Sequence, residues 1–224
     1  MPASPAHPGP PAGPPRGLYA SVLKRLIDVT VAALLLLVLA PVMAMVALAV
    51  WLVLGRPILH RDLRAGLGGR PFEIVKFRSM ADRVDAAGRL LPDEQRLGRF
   101  GARLRASSLD ELPQLVSVVR GDMSLIGPRP LPLRYVSRYS PRQAARLLVR
   151  PGLTGWAQIH GRNALDWGPR LEYDAHYVEI LGRWYAPLAD CWIMVATLLQ
   201  LVVQAVTGRG VAAPGSATMQ EFEP

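Results

Sequence analysis

Residues 29–54 form the longest apolar run in the chain and contain no charged side chain. As a straight helix this run would be about 39 Å long, because an α-helix rises roughly 1.5 Å per residue. The hydrocarbon core of a bilayer is only about 30 Å thick. The run therefore predicts a membrane-embedded helix, and it favours that interpretation over a core helix of a soluble protein.

Pro41 lies near the middle of this run, and basic residues flank both ends of it. A proline inside a helix removes a backbone hydrogen bond and clashes with the preceding turn, so a bend is expected there. A spanning helix usually carries its basic excess on the cytoplasmic side alone. Basic flanks at both ends fit a helix that bends at Pro41 and returns to the same face, but a tilted span with a tolerated proline fits equally well. The flanking residues are Lys24, Arg25, Arg56, Arg61, Arg64 and Arg70.

The region that follows has a mixed pattern, which predicts both strands and helices. Residues 71–77 alternate among β-forming side chains and predict a strand, whereas the polar residues 82–94 predict a loop. Residues 140–143 combine a serine cap, a proline and a glutamine, which is typical of a helix start. Residues 108–119 predict a further helix. Its expected apolar side consists of Leu109, Leu112, Val116 and Val119.

Residues 192–206 are apolar except for Thr197, Gln200 and Gln204, which fall on one helical face. This segment is too short and too polar to be expected to span a bilayer. It predicts an amphipathic helix that lies on the membrane surface or packs against the domain, and the pattern leaves both open.

The termini and the overall composition narrow the class of protein. Residues 1–17 hold seven prolines and one charge, so they predict a disordered tail. Half of the chain is hydrophobic and only 19% is charged, which excludes a disordered protein as a whole. The single cysteine, Cys191, excludes a disulfide framework and a thiolate zinc site.

The net charge of +9 rests on arginine, because Lys24 and Lys76 are the only lysines. Such a chain is expected to lie near an anionic partner, either nucleic acid or a phospholipid surface. The chain lacks clustered aromatics in a recognisable nucleic-acid motif, so the lipid surface is favoured. Five arginines recur every fourth residue and predict a basic face towards solvent, headgroups or a ligand. They are Arg134, Arg138, Arg142, Arg146 and Arg150.

The strongest chemical candidates are Asp110 and Glu111 at the start of the helix predicted over 108–119. Ser108 and Glu111 have the spacing of a capping box, which is a purely structural role. The same position would keep Asp110 ionised, ready to act as a nucleophile or as a magnesium ligand. Arg105 lies five residues earlier, and Arg129 stands between two prolines, which would present its guanidinium rigidly to a phosphate.

Six short motifs in a fixed order carry a resemblance to a known family. They are residues 24–28 (KRLID), 76–80 (KFRSM), 108–114 (SLDELPQ), 121–130 (GDMSLIGPRP), 150–158 (RPGLTGWAQ) and 161–163 (GRN), together with the proline-containing apolar run. In this order they resemble the bacterial sugar transferase family, the monotopic phosphoglycosyl transferases. The resemblance extends from about residue 20 to the C-terminus.

The resemblance implies an α/β, mostly helical, monotopic membrane protein. It implies a re-entrant membrane helix over residues 18–56, broken at Pro41, and a small cytosolic catalytic domain over 57–209 with an amphipathic interfacial helix. Residues 210–224 would form a C-terminal tail. The expected location is the bacterial inner membrane, with the catalytic domain on the cytoplasmic face.

The resemblance also implies an activity: transfer of a sugar-1-phosphate from a UDP-sugar to undecaprenyl phosphate, with release of UMP. Asp110 and Glu111 match the family's catalytic dyad and would hold magnesium, with manganese as an alternative. The aspartate would form a covalent phosphosugar intermediate. Arg105 and Arg129 match the family's active-site arginines, and Lys76, Arg78 and Arg162 are further candidates for phosphate binding. No nucleic-acid partner is expected, and a homodimer is left open.

Two features bear on the finer assignment. The tail over residues 210–222 is similar to that of short members acting on UDP-linked N-acetylated amino sugars, with a plain hexose donor as the alternative. Ala40 and His160 depart from the family's usual serine and asparagine, and a surface position is the expected explanation for His160. A non-catalytic membrane-anchored scaffold is the hypothesis of a different class.

Overall fold

A single long helix dominates the N-terminal part of the protein. The computed structural model describes residues 13–161, 165–207 and 221–222. Helix α1 spans Lys24–Leu54, follows a π-helical turn at Tyr19–Leu23, and continues through Pro41 as one element. Two helices of the described chain, Tyr19–Leu54 and Ala186–Gln204, have the length and apolar composition to cross a membrane. The long apolar helix predicted from the sequence is therefore present.

Both halves of α1 pack against the rest of the molecule. Ala32 in the N-terminal half joins the main core, which includes Leu115 and Val118. Val46 and Val50 in the C-terminal half form a second cluster with a strand and a helix of the domain. The opposite side of the helix remains exposed although it is equally apolar. Its exposed residues include Leu34, Leu37, Val38, Met45 and Leu52.

Two antiparallel strands form a hairpin after α1. Strand β1 spans Leu59–Ala65 and β2 spans Pro71–Phe77, with Leu59 paired to Phe77 and Ala65 to Pro71. The strand predicted over residues 71–77 is confirmed. Phe72 and Ile74, two residues apart on β2, enter the main core, as the two-residue period of a strand requires, and Phe77 at its end joins the second cluster.

Short helices and a second sheet build the remainder of the domain. Strands β3 (Ser124–Ile126) and β4 (Gly152–Thr154) pair in parallel. Helix α7 (Trp167–Leu181) lies against the main core through Tyr177 and Val178. The helices are α2 (Asp93–Arg96), α3 (Arg99–Ala106), α4 (Leu115–Arg120), α5 (Pro141–Ala144), α6 (Trp156–Ile159), α7 (Trp167–Leu181) and α8 (Ala186–Thr207), with 3₁₀ segments at Leu67–Gly69, Leu109–Gln114, Leu133–Arg138 and Ala145–Leu148.

The helix predicted over residues 108–119 is present, but only half of its predicted apolar side packs inward: Leu109 and Leu112 pack against the hydrophobic clusters, whereas Val116 and Val119 do not. The segment begins as a 3₁₀ helix over Leu109–Gln114 and becomes α-helical only in α4. Because a 3₁₀ helix has about 3.0 residues per turn and an α-helix about 3.6, the phase of the buried face shifts between them. Leu115 and Val118 are buried as a result, while Val116 and Val119 face outward.

Helix α8 is amphipathic as predicted, but it begins earlier and turns its polar face inward. Thr197 bonds to the hydroxyl of Thr154 at 2.7 Å, and the Gln200 amide donates to the Ile159 carbonyl at 2.8 Å. Gln204 is buried as well. The apolar face points outward. Its exposed residues are Leu188, Trp192, Val195, Leu198, Leu199, Val202 and Val203.

The predicted tails lie mostly beyond the described residues. Residues 1–12 of the tail predicted over 1–17 fall outside them, and only Glu221 and Phe222 of the C-terminal tail fall inside. Phe222 is buried in a cluster of aromatic rings, with its centroid 5.6 Å from Tyr135 and 5.3 Å from Trp167.

Candidate active site

Asp110 and Glu111 lie on the first turn of the 3₁₀ segment that packs against β2. The predicted capping box is not formed: Ser108 has a left-handed backbone conformation (φ 56°), and its side chain makes no capping bond. The Glu111 carboxylate instead accepts two hydrogen bonds from the Arg129 guanidinium, at 2.5 and 3.4 Å. With Ser108 in this conformation, the Glu111 side chain does not complete a capping box and contacts Arg129 instead.

The Asp110 carboxyl is only 4% exposed. Burial and the negative charge of Glu111 raise its pKa to about 6, while the positive charges of Lys76, Arg105 and Arg129 act in the opposite direction. The mutual influence of these five groups shows that the structure brings them together. They come from β2, α3, the 3₁₀ segment and the loop after β3.

Lys76 and Arg105 supply two of the three cations around Asp110. Burial lowers the pKa of both side chains; the charge of Arg105 adds to this at Lys76, and the charge of Arg129 adds to it at both. The Arg105 Nε donates to the Ser79 hydroxyl at 2.9 Å, which fixes its guanidinium beside β2. Two partly desolvated cations next to a buried carboxylate form a site prepared for additional negative charge.

Arg129 reaches the site from a loop held by three close backbone contacts. A Cβ on Gly127 would lie 2.5 Å from the Arg150 carbonyl oxygen, and one on Gly152 would lie 2.0 Å from the Gly127 nitrogen. A Cβ on Gly155 would likewise lie 2.1 Å from the Gly127 oxygen. Only glycine permits this approach of β3 and β4. This close approach of β3 and β4 therefore fixes where the loop leaves the sheet and so positions Arg129.

An open cleft of about 360 Å³ lies in front of these groups. Sequence reasoning missed two of the polar residues that line it, Arg64 and Gln114. Arg64 was treated only as a basic flank of the apolar run, yet it bonds to Asp62 at 2.5 Å on the hairpin. Gln114 lies in the motif that contains Asp110 and Glu111, but the sequence pattern did not predict the 3₁₀ turn in which it lies. The lining residues are Arg64, Ile74, Lys76, Glu111, Gln114, Arg129 and Pro130.

Three other predicted positions have different outcomes. Arg78 is buried at the end of α1, where it donates to the Leu54 carbonyl and pairs with Asp82 at 2.7 Å, so the structure gives it a structural contact instead of a place in the cleft. Arg162 lies outside the described residues. Pro41 stands inside an uninterrupted helix.

The prediction of one basic face, based on arginines at every fourth residue from Arg134 to Arg150, is wrong. Two short 3₁₀ segments interrupt the helical geometry, so these arginines point in different directions. Arg142 binds Glu172 and Glu179 on α7, and Arg150 donates to the Gly121 carbonyl at 2.8 Å. Arg134 and Arg138 bind Glu221 near the C-terminus, and Arg146 is buried.

His160 occupies a surface position, as the sequence predicted. Its ring stacks on Tyr173 with centroids 4.8 Å apart, and its Nδ1 lies 2.8 Å from the Trp156 carbonyl oxygen. The side chain is exposed, and these contacts explain how the chain accommodates it.

Asp110 and Glu111 are the two carboxylates available to a divalent cation in the cleft. Within the described ranges no three or more His, Cys, Asp or Glu side chains surround a common point. One or two carboxylates together with substrate phosphates are the donors through which magnesium usually binds. The arrangement as a whole is a shielded carboxylate faced by cations, which suits attack on an anionic phosphorus.

Comparison with known proteins agrees with this chemistry. The model of the bacterial sugar transferase family matches residues 19–204. A Bacillus subtilis protein named uncharacterized sugar transferase EpsL is 48% identical over 90% of this chain and 96% of its own length. The UDP-glucose:undecaprenyl-phosphate glucose-1-phosphate transferase of Caulobacter vibrioides is 42% identical over 78% of this chain and 69% of its own.

A third relative is the exopolysaccharide production protein ExoY of Sinorhizobium fredii, 36% identical over 79% of this chain and 84% of its own length. The family match covers helix α1, both sheets, Asp110 and Glu111, and most of α8. The chain belongs to the bacterial sugar transferase family.

Proposed function

We propose that this protein transfers a hexose-1-phosphate from a UDP-hexose to undecaprenyl phosphate at the cytoplasmic face of the bacterial inner membrane. The observation that carries the proposal is the buried Asp110 carboxyl, whose pKa responds to the charges of Glu111, Lys76, Arg105 and Arg129, beside a cleft that Glu111, Lys76 and Arg129 line. A diphosphate donor and a lipid phosphate both need this excess of positive charge. The exposed apolar faces of α1 and α8 would bind the membrane in which the lipid acceptor lies.

The proposed reaction has two displacements at the same phosphorus. The Asp110 carboxylate attacks the β-phosphorus of the UDP-sugar, the bond from that phosphorus to the bridging oxygen breaks, and UMP leaves with the electron pair. A phosphate oxygen of undecaprenyl phosphate then attacks the aspartyl phosphosugar and releases the Asp110 carboxylate. Arg105, Arg129 and Lys76 neutralise the phosphoryl oxygens in both steps.

We propose that Asp110 and Glu111 hold magnesium. The negative charge of Glu111 contributes to the raised pKa of Asp110, and a nearby divalent cation would offset that repulsion. When held by Asp110 and Glu111, the metal would supply positive charge that stabilises the diphosphate and the leaving UMP. The chain's own residues orient the donor, since the Glu111 carboxylate is held by Arg129 and Arg105 is held by Ser79.

The relatives favour glucose as the donor sugar. The Caulobacter vibrioides relative is named for UDP-glucose, and so is an Escherichia coli relative that is 37% identical over 73% of this chain. The expectation of an N-acetylated amino sugar rests on residues 210–222, most of which lie outside the described residues. We therefore place the hexose donor first.

Release of UMP by the purified protein tests the proposal directly. The full chain in lipid nanodiscs would receive magnesium, undecaprenyl phosphate and, in separate reactions, UDP-glucose, UDP-galactose or UDP-N-acetylglucosamine. We expect turnover with a UDP-hexose and a loss of at least about a thousandfold in Asp110→Asn. Asp166→Asn, an exposed residue at the start of α7, is the matched control and should retain activity.

The outcomes separate the candidate functions. Turnover that survives Asp110→Asn would overturn the assignment of the nucleophile. Preference for UDP-N-acetylglucosamine would restore the amino-sugar donor. A protein that releases no UMP from any donor, while remaining folded, would favour the scaffold hypothesis.

A further inference from the structure

Arg146 is a charged residue that the proposed reaction does not use, yet it is almost completely buried. It lies in the 3₁₀ segment Ala145–Leu148 and is 4% exposed. A guanidinium is rarely buried to this extent unless its charge and its donors are matched. The partners of Arg146 therefore indicate what it does.

The Arg146 guanidinium has three partners in different parts of the fold. One terminal nitrogen pairs with the Asp174 carboxylate of α7 at 3.1 Å and also donates to the backbone carbonyl of Arg129. The other terminal nitrogen donates to the Tyr139 hydroxyl at 3.0 Å. Asp174 is itself only 1% exposed. The buried ion pair thus ends on the backbone of the residue whose side chain faces the cleft.

Backbone hydrogen bonds hold the loop on both sides of Arg129, from the Gly152 N–H to the Pro128 carbonyl at 2.9 Å and from the Ala65 N–H to the Leu131 carbonyl at 3.0 Å. At the Arg129 carbonyl itself, the Arg146 guanidinium supplies the bond. Pro128 and Pro130 flank Arg129, and proline has no N–H with which to donate a hydrogen bond. Both prolines are buried, while the Arg129 side chain is 44% exposed and bonds to Glu111. A displacement of the Arg129 carbonyl would therefore move the guanidinium relative to the catalytic dyad.

We propose that Arg146, held by Asp174, is a positioning residue that fixes Arg129 for its contact with the diphosphate donor. This inference rests on the proposed function, because it assigns Arg129 a substrate. A guanidinium suits the task because its planar fork serves Tyr139 and the Arg129 carbonyl at once. A lysine at this position keeps the charge but offers only one nitrogen.

A double-mutant cycle with Arg129 tests whether Arg146 acts through that residue. The variants are Arg146→Lys, Arg129→Ala and the two combined, with kcat and KM for UDP-glucose measured by UMP release. We expect Arg146→Lys alone to lower kcat by about 10- to 100-fold, since a misplacement of about 1 Å can cost a factor of that size. In the Arg129→Ala background the same change should alter kcat by less than about twofold.

Arg142→Lys is the matched control. Arg142 also bridges to α7, through Glu172 and Glu179, whereas Arg146 binds Asp174 and the Arg129 carbonyl. We expect this variant to keep wild-type kcat in both backgrounds. Equal losses from Arg146→Lys in the two backgrounds, or no loss in either, would overturn the inference.

Two further measurements keep the inference testable if Arg146→Lys folds poorly or if UDP-glucose is not the donor. Tyr139→Phe removes only the hydroxyl that holds Arg146, so it should lower kcat several-fold, and only when Arg129 is present. Hydrogen exchange of the peptide over residues 124–135 needs no substrate. Exchange there should accelerate in Arg146→Lys and Tyr139→Phe but not in Arg142→Lys, and unchanged exchange would contradict the proposal. A wild-type protein without UMP release would instead count against the proposed function.

Discussion

At the scale of single residues, the environment of Asp110 is the decisive feature. A carboxyl group that is 4% exposed and adjacent to Glu111 is held in its charged form against desolvation. The surrounding cations offset this only in part, since the pKa remains raised to about 6. Such a group is poorly placed for stability and well placed for reaction.

This environment predicts a pH-dependent gain in stability from Asp110→Asn. The folded pKa of about 6 exceeds the ordinary aspartate value of 3.8, so the folded protein binds more protons between these two pH values. The stability of the wild type should therefore fall as the pH rises from about 4 to about 6. Asn removes the charge, so the variant should be more stable by about 3 kcal/mol above pH 6 and nearly equal to wild type below pH 4.

Thermal unfolding in detergent with EDTA, at pH values between 4 and 8, measures this difference. The control variant Asp166→Asn changes an exposed carboxylate and should show no such trend. Magnesium should narrow the gap at pH 8, because the cation stabilises only the protein that keeps its carboxylate. A variant that is less stable than wild type at pH 8 would show that the cations, and not burial, dominate at Asp110.

At the scale of elements, a buried polar cluster joins α1 to α8. The Lys24 ammonium lies 3.0 Å from the Asp190 carboxylate and 3.7 Å from that of Asp28. The hydroxyls of Tyr19 and Tyr177 also donate to Asp190, at 2.6 and 2.8 Å. Each buried charge in this cluster is stabilised by the opposite charge beside it. The cluster therefore links α1 to α8.

We expect Lys24→Met to destabilise the protein by about 3–5 kcal/mol, because it leaves buried carboxylates without their cation. Thermal unfolding in detergent provides the measurement. Arg61→Met breaks the exposed pair with Glu73 and serves as the comparison, with an expected loss of roughly 0–1 kcal/mol. The cluster would be unimportant if Lys24→Met cost no more than Arg61→Met.

The contrast between two amphipathic segments shows how far periodicity alone reaches. For α8 the sequence predicted which residues share a face, but only the partners of Thr197 and Gln200 show that the polar face turns inward. For residues 108–119 the predicted grouping holds for Leu109 and Leu112 but fails for Val116 and Val119. The 3₁₀ turn that contains Pro113 changes the period before α4 begins.

At the scale of the whole molecule, α1 is packed along the catalytic domain at both of its ends. Arg25 donates to the carbonyls of Val118 and Val119 at 2.6 and 2.9 Å, and Arg78 on the other side of the domain binds the Leu54 carbonyl. A helix that crossed the bilayer would place one of its ends on the face opposite the catalytic domain, out of reach of that domain. We therefore expect both ends of α1 to lie on the same face.

Cysteine labelling tests this topology. Cys191 is the only cysteine, so Cys191→Ser provides a background for single cysteines at the exposed positions Ser21 and Arg56. In vesicles with the catalytic domain outside, a membrane-impermeant maleimide should label both positions. Labelling of Ser21→Cys and Arg56→Cys from opposite sides would establish a simple span, and detergent-solubilised protein controls for accessibility.

The sequence by itself determined the apolar run, the family and the identity of the site's charged residues, because these depend on composition, local period and the order of short motifs. Tertiary structure alone decided that Glu111 binds Arg129 and does not cap a helix, that Arg78 binds the end of α1, and that Arg146 is buried behind the site. Each of these outcomes depends on a partner distant in the chain. A guanidinium has the same local signature in sequence whether it faces a phosphate, a lipid or a buried carboxylate, and only packing distinguishes them.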